Sequence, residues 1–384
     1  TEVQAVSDLG GSDTAFLHGS TSNDVFTGDY NSSQMETGDG FVMSADGFRF
    51  LYAYSEGYAD GDPLLADRVY LYDSPGDDTF TSTPTLAKLN GSDYNMELAS
   101  FRYVDVYSQN GGIDHANMFD SPGDDVYTAT GPKPNTPNYA ELRGDTFKVT
   151  AHTFRYTAAS AAAGGYDLAR LYDSPGEDTF EAAPTYGKLY GAGFYNRADY
   201  FDKVEAHGDA GGEDVVRLYD SAGDDELKAG GANDMTLIGS GFNISASNFQ
   251  HVVAFADQGH DVATFYGTNG DDTFIGTPVY GKLTSGDRTF RAYGFDEVNA
   301  WGKGGNDKAY LKDSALADLF EARGSISNGD GDNAWARLSN EELDFLLWVA
   351  NFEEVHAEST SSGDRADIGP EVDFVFLTGI WEDI

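Results

Sequence analysis

The stretch Leu71–Phe80 reads LYDSPGDDTF, and it returns at Leu171–Phe180 as LYDSPGEDTF. Met118–Tyr127 (MFDSPGDDVY), Leu218–Leu227 (LYDSAGDDEL) and Phe265–Phe274 (FYGTNGDDTF) are close variants. Leu17–Phe26 (LHGSTSNDVF) and Leu311–Phe320 (LKDSALADLF) are weaker ones. The chain therefore holds seven copies of one unit, and repetition at a fixed period has to be read before any single element. Anchored on the last acidic residue of each turn (Asp24, Asp78, Asp125, Asp178, Asp225, Asp272, Asp318), the copies step by 54, 47, 53, 47, 47 and 46 residues. Eleven residues before each anchor stands another aspartate: Asp13, Asp67, Asp114, Asp167, Asp214, Asp261 and Asp307. That spacing never changes while the repeat length does. It predicts a rigid strand–turn–strand unit, with insertions confined to other loops.

Inside the unit the apolar residues alternate with period two, as in a strand with one buried face. Val69, Ala116 and Ala169 form one column, Leu71, Met118 and Leu171 a second, and Phe80, Tyr127 and Phe180 a third. Between the strands, Ser-Pro-Gly-Asp is turn chemistry: Pro presets φ, Gly permits positive φ, and Asp bonds local backbone. A second pattern, F-x-x-V-x-A, precedes most units, as at Phe201/Val204/Ala206, Phe249/Val252/Ala254 and Phe352/Val355/Ala357. A Gly-Gly turn often follows it, as at Gly111–Gly112 and Gly304–Gly305, and P-x-Y-G-K-L recurs at Pro184–Leu189 and Pro278–Leu283. Each repeat thus contains four or five short strands joined by Gly, Asp and Pro turns.

Of the 384 residues, 65 are Asp or Glu and 23 are Lys or Arg, a net charge of −42. This disfavours nucleic acid and anionic membrane surfaces, which need clustered Lys and Arg. No run of 18 apolar residues exists, so no membrane-spanning helix is expected. With no cysteine, disulfides, thiolate zinc sites and Cys nucleophiles all drop out. A hydrophobic content of 40% supports a folded core. The charge fits a saline or calcium-containing medium, where cations screen or bind carboxylates.

Two architectures accommodate about 47 residues per repeat. One is a β-solenoid of stacked coils; the other is a seven-bladed β-propeller. Like residues in each column, a degenerate seventh turn (Ala315-Leu316-Ala317) and continuation to Ile384 favour the former. The expectation is all-β: a right-handed parallel β-helix or β-solenoid of about seven to eight repeats over residues 1–337, followed by a capping region at 338–384. Within that cap, Leu338–Val355 has Ser339 and Glu342 at capping-box spacing. A helix-containing cap is expected there, with repeat-like strand as the alternative. The abrupt start on mid-repeat strand material predicts a segment of a longer secreted polypeptide.

The segment Gly267–Phe274, GTNGDDTF, resembles the hemolysin-type calcium-binding repeat of RTX proteins. So does the pairing of Gly-Gly turns with a fixed aspartate. The resemblance implies Gly and Asp turns stacked along a parallel β-roll and holding Ca²⁺. Carried over residue by residue, Gly270 with Asp272 match best, followed by Gly76 with Asp78, Gly123 with Asp125, Gly176 with Asp178 and Gly223 with Asp225. The repeat here departs from the family's nine-residue period, and the first Gly is usually Asp (Asp73, Asp120, Asp173, Asp220). The tandem GDDTF repeats also look like those of very large secreted proteins of planctomycete-type bacteria.

The candidate metal ligands are therefore Asp78, Asp125, Asp178, Asp225 and Asp272, and the candidate ion is Ca²⁺, which prefers carboxylate and carbonyl oxygens. The competing reading is that these carboxylates cap turns by accepting backbone N–H bonds. Tyr72, Tyr172, Tyr219 and Tyr266, with Phe119, form either a sugar-stacking strip or a structural stack. Catalysis has little support: the seven histidines are scattered, and no metalloprotease motif, nucleophile elbow or P-loop is present. The expected function is a secreted or cell-surface, non-enzymatic structural or adhesive repeat protein. Its partners would be further copies stacked end to end or the parent polypeptide, with glycans as a further possibility. The alternative is a carbohydrate-binding or polysaccharide-cleaving protein (a lyase or glycosidase).

Overall fold

The computed structural model describes residues 2–8, 11–56, 66–231, 234–326 and 334–384. The described residues form 39 strands and no helix, as the period-two patterns require. They divide into two compact units: residues 1–178, 185–206 and 210–212 in the first, and 179–184, 207–209 and 213–384 in the second.

Within each unit the strands fall into two sheets, and the chain passes from one to the other at successive turns. In the first unit one sheet runs, in spatial order, Thr14–His18, Phe50–Tyr54, Asn95–Ala99, Leu86–Asn90, Thr79–Thr83, His115–Phe119, Tyr156–Ser160, Phe194–Asp199 and Tyr186–Gly191. In the second unit one sheet runs Thr179–Ala183, Val215–Tyr219, His251–Phe255, Arg288–Tyr293, Tyr280–Ser285, Asp272–Thr277, Lys308–Lys312, Glu354–Glu358 and Val375–Thr378. Neighbours pair in parallel, except where an up-and-down meander inserts one antiparallel strand, as Leu86–Asn90 does. Consecutive meanders within a unit fall on alternate sheets: Val25–Asp46 on one, Thr79–Ala99 on the other, Val126–His152 back on the first. This is a β-solenoid whose coils carry meanders, and continuous parallel pairing within each unit excludes the separate antiparallel blades of a propeller.

The columns read from sequence are the core. Phe26, Phe80, Tyr127, Phe180, Phe274 and Phe320 are all fully buried. The two apolar patterns meet each other. Phe80 packs on Phe154 with ring centroids 6.5 Å apart, Phe180 on Phe249 at 6.3 Å, and Phe274 on Phe352 at 6.5 Å. In these three copies the Phe of the D-x-F strand thus covers a Phe that opens a later strand, whereas Phe320 packs on Trp381 at 5.9 Å; full burial of such a ring is worth about 1.5–3 kcal/mol. Tyr127 carries a hydroxyl into this core, where it lies 2.8 Å from Thr157 Oγ1, which donates in turn to Asn196 Oδ1 at 2.7 Å.

The expected helix in 338–355 does not form. Trp335–Asn340 and Phe345–Ala350 are antiparallel strands of the seventh meander, and Glu354–Glu358 returns to parallel pairing. Asn340 closes the hairpin by accepting the backbone N–H groups of Glu342 and Leu343. The alternation Ala336/Leu338 and Leu347/Val349, all buried, overrides the capping-box signal because it matches a strand facing the core.

Candidate metal centre

The Asp-Ser-Pro-Gly-Asp-Asp turn folds around its own last carboxylate. Asp78 Oδ2 accepts the backbone N–H of Ser74 at 2.7 Å and the Ser74 hydroxyl at 2.9 Å, and Ser74 Oγ accepts the N–H of Gly76 at 3.2 Å. Asp125 with Ser121, Asp178 with Ser174, Asp225 with Ser221 and Asp318 with Ser314 repeat the bond to Oδ2 within 2.7–2.8 Å; Asp272 makes it with Thr268 at 2.7 Å. These local bonds explain why Ser or Thr stands four residues before the anchor.

The next coil interlocks with this turn. The backbone N–H of Asp78 donates to Asp114 Oδ1 at 2.7 Å, that of Asp125 to Asp167 at 2.8 Å, that of Asp225 to Asp261 at 2.9 Å and that of Asp272 to Asp307 at 2.8 Å. The aspartate preceding a unit by eleven residues therefore serves the previous copy's anchor. The first aspartate of the turn is used similarly: Asp73 accepts the N–H groups of Gln109 and Asn110 at 3.0 Å, and Asp220 accepts that of Asp257 at 3.0 Å. Asp77 accepts the N–H of Ile113 at 2.8 Å, and Asp224 that of His260 at 2.9 Å. Here the Gly-Gly turn closes in. At Gly112, with φ +93°, an added Cβ would stand 2.1 Å from the carbonyl oxygen of Gly76.

Among the described residues four carboxylate triplets result: Asp73/Asp78/Asp114, Asp120/Asp125/Asp167, Asp220/Asp225/Asp261 and Asp313/Asp318/Asp364, each offering three oxygens within 4.8 Å of one another. Of the candidate ligands, Asp78, Asp125 and Asp225 lie in these groups. Asp272 meets Asp307 but lacks the third carboxylate, because Gly267, like Gly19 in the first copy, stands where the remaining five copies have Asp. Asp178 is fixed on Ser174 like its counterparts. The fourth triplet was not expected, because its turn lacks Pro and Gly and because Asp364 lies outside the eleven-residue spacing. The recurring Asp-x-Ala at Asp364–Ala366, matching Asp114–Ala116 and Asp167–Ala169, was the available signal.

No ion pair among the described residues joins any of these twelve carboxylates to Lys, Arg or His. Burial, with smaller contributions from neighbouring carboxylates and against the pull of the Asp125 and Asp225 N–H groups, raises Asp167 and Asp261 to about 6. Burial likewise raises Asp73, Asp114, Asp125 and Asp220 above the ordinary carboxylate range. Asp364 goes the other way: burial is outweighed by hydrogen bonds from the Asp318 N–H and the hydroxyls of Ser359 and Ser361. The anchors also differ. Asp78 Oδ1 accepts the Tyr94 hydroxyl at 3.0 Å and Asp318 Oδ1 accepts Asn340 Nδ2 at 2.8 Å, whereas Asp125 Oδ1 and Asp225 Oδ1 are buried with no donor. Three converging oxygens fit a hard cation: Ca²⁺ holds oxygens at about 2.3–2.6 Å, which places its ligands within roughly 5 Å of each other.

The tyrosine strip is not a single surface. Tyr72 lies on the sheet opposite to Phe119 in the first unit, and Tyr219 on the sheet opposite to Tyr266 in the second. Tyr72 stacks on Tyr107 at 5.2 Å and Tyr107 on His152 at 4.4 Å, and Tyr219 stacks on Phe255 at 5.5 Å. One face of Tyr72 and one face of Tyr219 are thus covered by a neighbouring ring along the sheet.

Comparison with family models, with curated proteins and with solved structures finds no match to this chain.

Proposed function

We propose that the chain is a non-catalytic structural or adhesive repeat element of the extracellular space or cell surface, whose buried carboxylate triplets are held together by Ca²⁺. The observation that carries this reading is the recurrence of one three-carboxylate arrangement at four corresponding turns, none with a basic partner among the described residues. A catalytic centre is built once; an arrangement repeated at four turns serves the stack. The likeness of the Gly-Asp turns at Gly76 with Asp78, Gly123 with Asp125 and Gly223 with Asp225 to the calcium-binding RTX repeat supports the choice of ion. Bound Ca²⁺ would neutralise oxygens that now repel each other and tie each turn to the next coil. In this reading the partners are further coils, from the parent polypeptide or a second copy, because parallel sheets extend by adding strands at an edge.

Thermal unfolding in EDTA, in CaCl₂ and in MgCl₂ at matched ionic strength tests it. The reading requires a melting temperature several degrees higher in CaCl₂ than in EDTA, with a smaller effect of Mg²⁺. Identical melts in EDTA and CaCl₂ remove the ion, and sustained turnover of a polysaccharide by the pure chain removes the non-catalytic role.

A further inference from the structure

The charge of the second unit is not evenly spread. On the sheet that begins at Thr179–Ala183, the outward positions of six neighbouring strands, from Val215–Tyr219 to Lys308–Lys312, contain five Lys or Arg and no Asp or Glu. Register pairing sets Arg217 between Glu181 of the first strand and Val253, Val253 beside Arg291, Arg291 beside Lys282, Lys282 beside Ile275 and Ile275 beside Tyr310, in one row across the strands, so that the basic stretch is bordered by Glu181 at one end. A second row holds Tyr219, Phe255, Tyr293 and Tyr280. Lys308 and Lys312 are matched by Glu354 and Glu358 on the next strand. Arg217, Lys282 and Arg291 make no ion pair among the described residues, although the chain carries nearly three acidic residues for each basic one. Arg291 instead lies over the rings of Tyr280 and Tyr293, 5.9 and 5.7 Å from their centroids, and donates to the Tyr293 hydroxyl at 3.0 Å.

We infer that this face binds a linear anionic polysaccharide, with Arg217, Arg291 and Lys282 meeting its carboxylates or sulfates. Three features select that partner. Adjacent strands are about 4.8 Å apart, close to the advance per residue of an extended pyranose chain, so successive sugars meet successive strands. The strands are five or six residues long, which limits the face to about 17–20 Å, and acidic turns border it. That width and that border admit one narrow chain and disfavour a duplex or an anionic bilayer, whose binding rests on many phosphate contacts. The ring edges and the Tyr280 and Tyr293 hydroxyls supply apolar contact and hydrogen bonds for sugar hydroxyls. The inference does not rest on calcium, since none of these residues belongs to a carboxylate triplet.

Titration calorimetry of the full chain with hexagalacturonate and with a neutral hexasaccharide, both in EDTA, decides the matter and separates it from the calcium reading. Saturable binding of the anionic oligomer, weakened by salt, with the neutral one binding far less, is the expected result. The double variant Arg291→Gln/Lys282→Gln should bind about ten- to a hundredfold more weakly, from the loss of charge-assisted hydrogen bonds. Lys228→Gln, on the opposite sheet and paired with Glu226, should bind as the parent does. If the double variant does not fold, acetylation of Lys282 in the unaltered protein must be slowed by hexagalacturonate. The inference is overturned by absent binding, by equal binding of the neutral oligomer, by undiminished binding of the double variant, or by unprotected Lys282.

Discussion

The backbone N–H of Asp225 donates to Asp261 Oδ1 across 2.9 Å and 36 residues of sequence, and this bond fastens one coil to the next. The acceptor is buried and raised from 3.8 to about 6, as are Asp167 and Asp307. A carboxyl whose pKa rises on folding binds its proton more tightly in the folded chain. Its stabilising contribution is complete below about pH 4 and is lost as the pH climbs through about 6. In EDTA the chain should therefore melt at a higher temperature at pH 5 than at pH 8. Asp261→Asn, which fixes the neutral form, should reduce this dependence by the share of one carboxyl, Asp167 and Asp307 keeping theirs, and an unchanged pH profile in that variant would refute the assignment.

Tyr94 and Phe242 occupy corresponding hairpin positions, three residues after Gly91 and Gly239. The hydroxyl of Tyr94 satisfies Asp78 Oδ1, while Asp225 Oδ1 has no donor. Tyr94→Phe should cost about 1–2 kcal/mol by removing one of the two donors to a buried carboxylate oxygen, the Ser74 hydroxyl at 3.1 Å being the other. Phe242→Tyr should add about 0.5–1.5 kcal/mol by supplying the missing bond. Urea unfolding of both variants measures the pair. A destabilised Phe242→Tyr would mean that the two hairpins are not equivalent.

Much of the fold was legible because a strand's period of two leaves an imprint that repetition multiplies. Ala309 and Leu311 could be placed inside from their columns alone, and both are fully buried. The helix expected at Leu338–Val355 failed because a capping box is a local signal, while Leu338 and Leu347 are fixed by the sheet they complete. The candidate ligands were read one per turn. What makes a triplet is the crossing of coils: Asp114 reaches Asp78 over 36 residues and Asp167 reaches Asp125 over 42. Those separations vary with the insertions, so only the constant step of eleven stood out. The Arg217–Arg291–Lys282 row was equally hidden, because its members come from three strands with a meander reversal between them.

Phe180 is fully buried and packs on Phe249. Removing its ring leaves a hole between two coils that neither backbone can close without breaking ladder bonds. Phe180→Ala should cost about 3–5 kcal/mol in urea unfolding. A loss under about 1 kcal/mol would mean that the ladder does not bear the stack.

Gly111 and Gly112 separate two demands on the Gly-Gly turn. Both have positive φ, +110° and +93°. At Gly111 an added Cβ would stand 3.6 Å from its nearest neighbour, the Pro75 carbonyl oxygen, which is ordinary contact. At Gly112 it would stand 2.1 Å from the Gly76 carbonyl oxygen, inside the turn that holds Asp78. Gly111→Ala should therefore lose only the backbone preference, about 1–2 kcal/mol. Gly112→Ala must also push two turns apart, stretching the Asp77–Ile113 and Asp78–Asp114 bonds, and should cost at least about 1 kcal/mol more. If calcium binds at Asp73/Asp78/Asp114, only Gly112→Ala should also weaken the CaCl₂-dependent rise in melting temperature. Equal losses from the two variants would show that the coils do not touch at this turn.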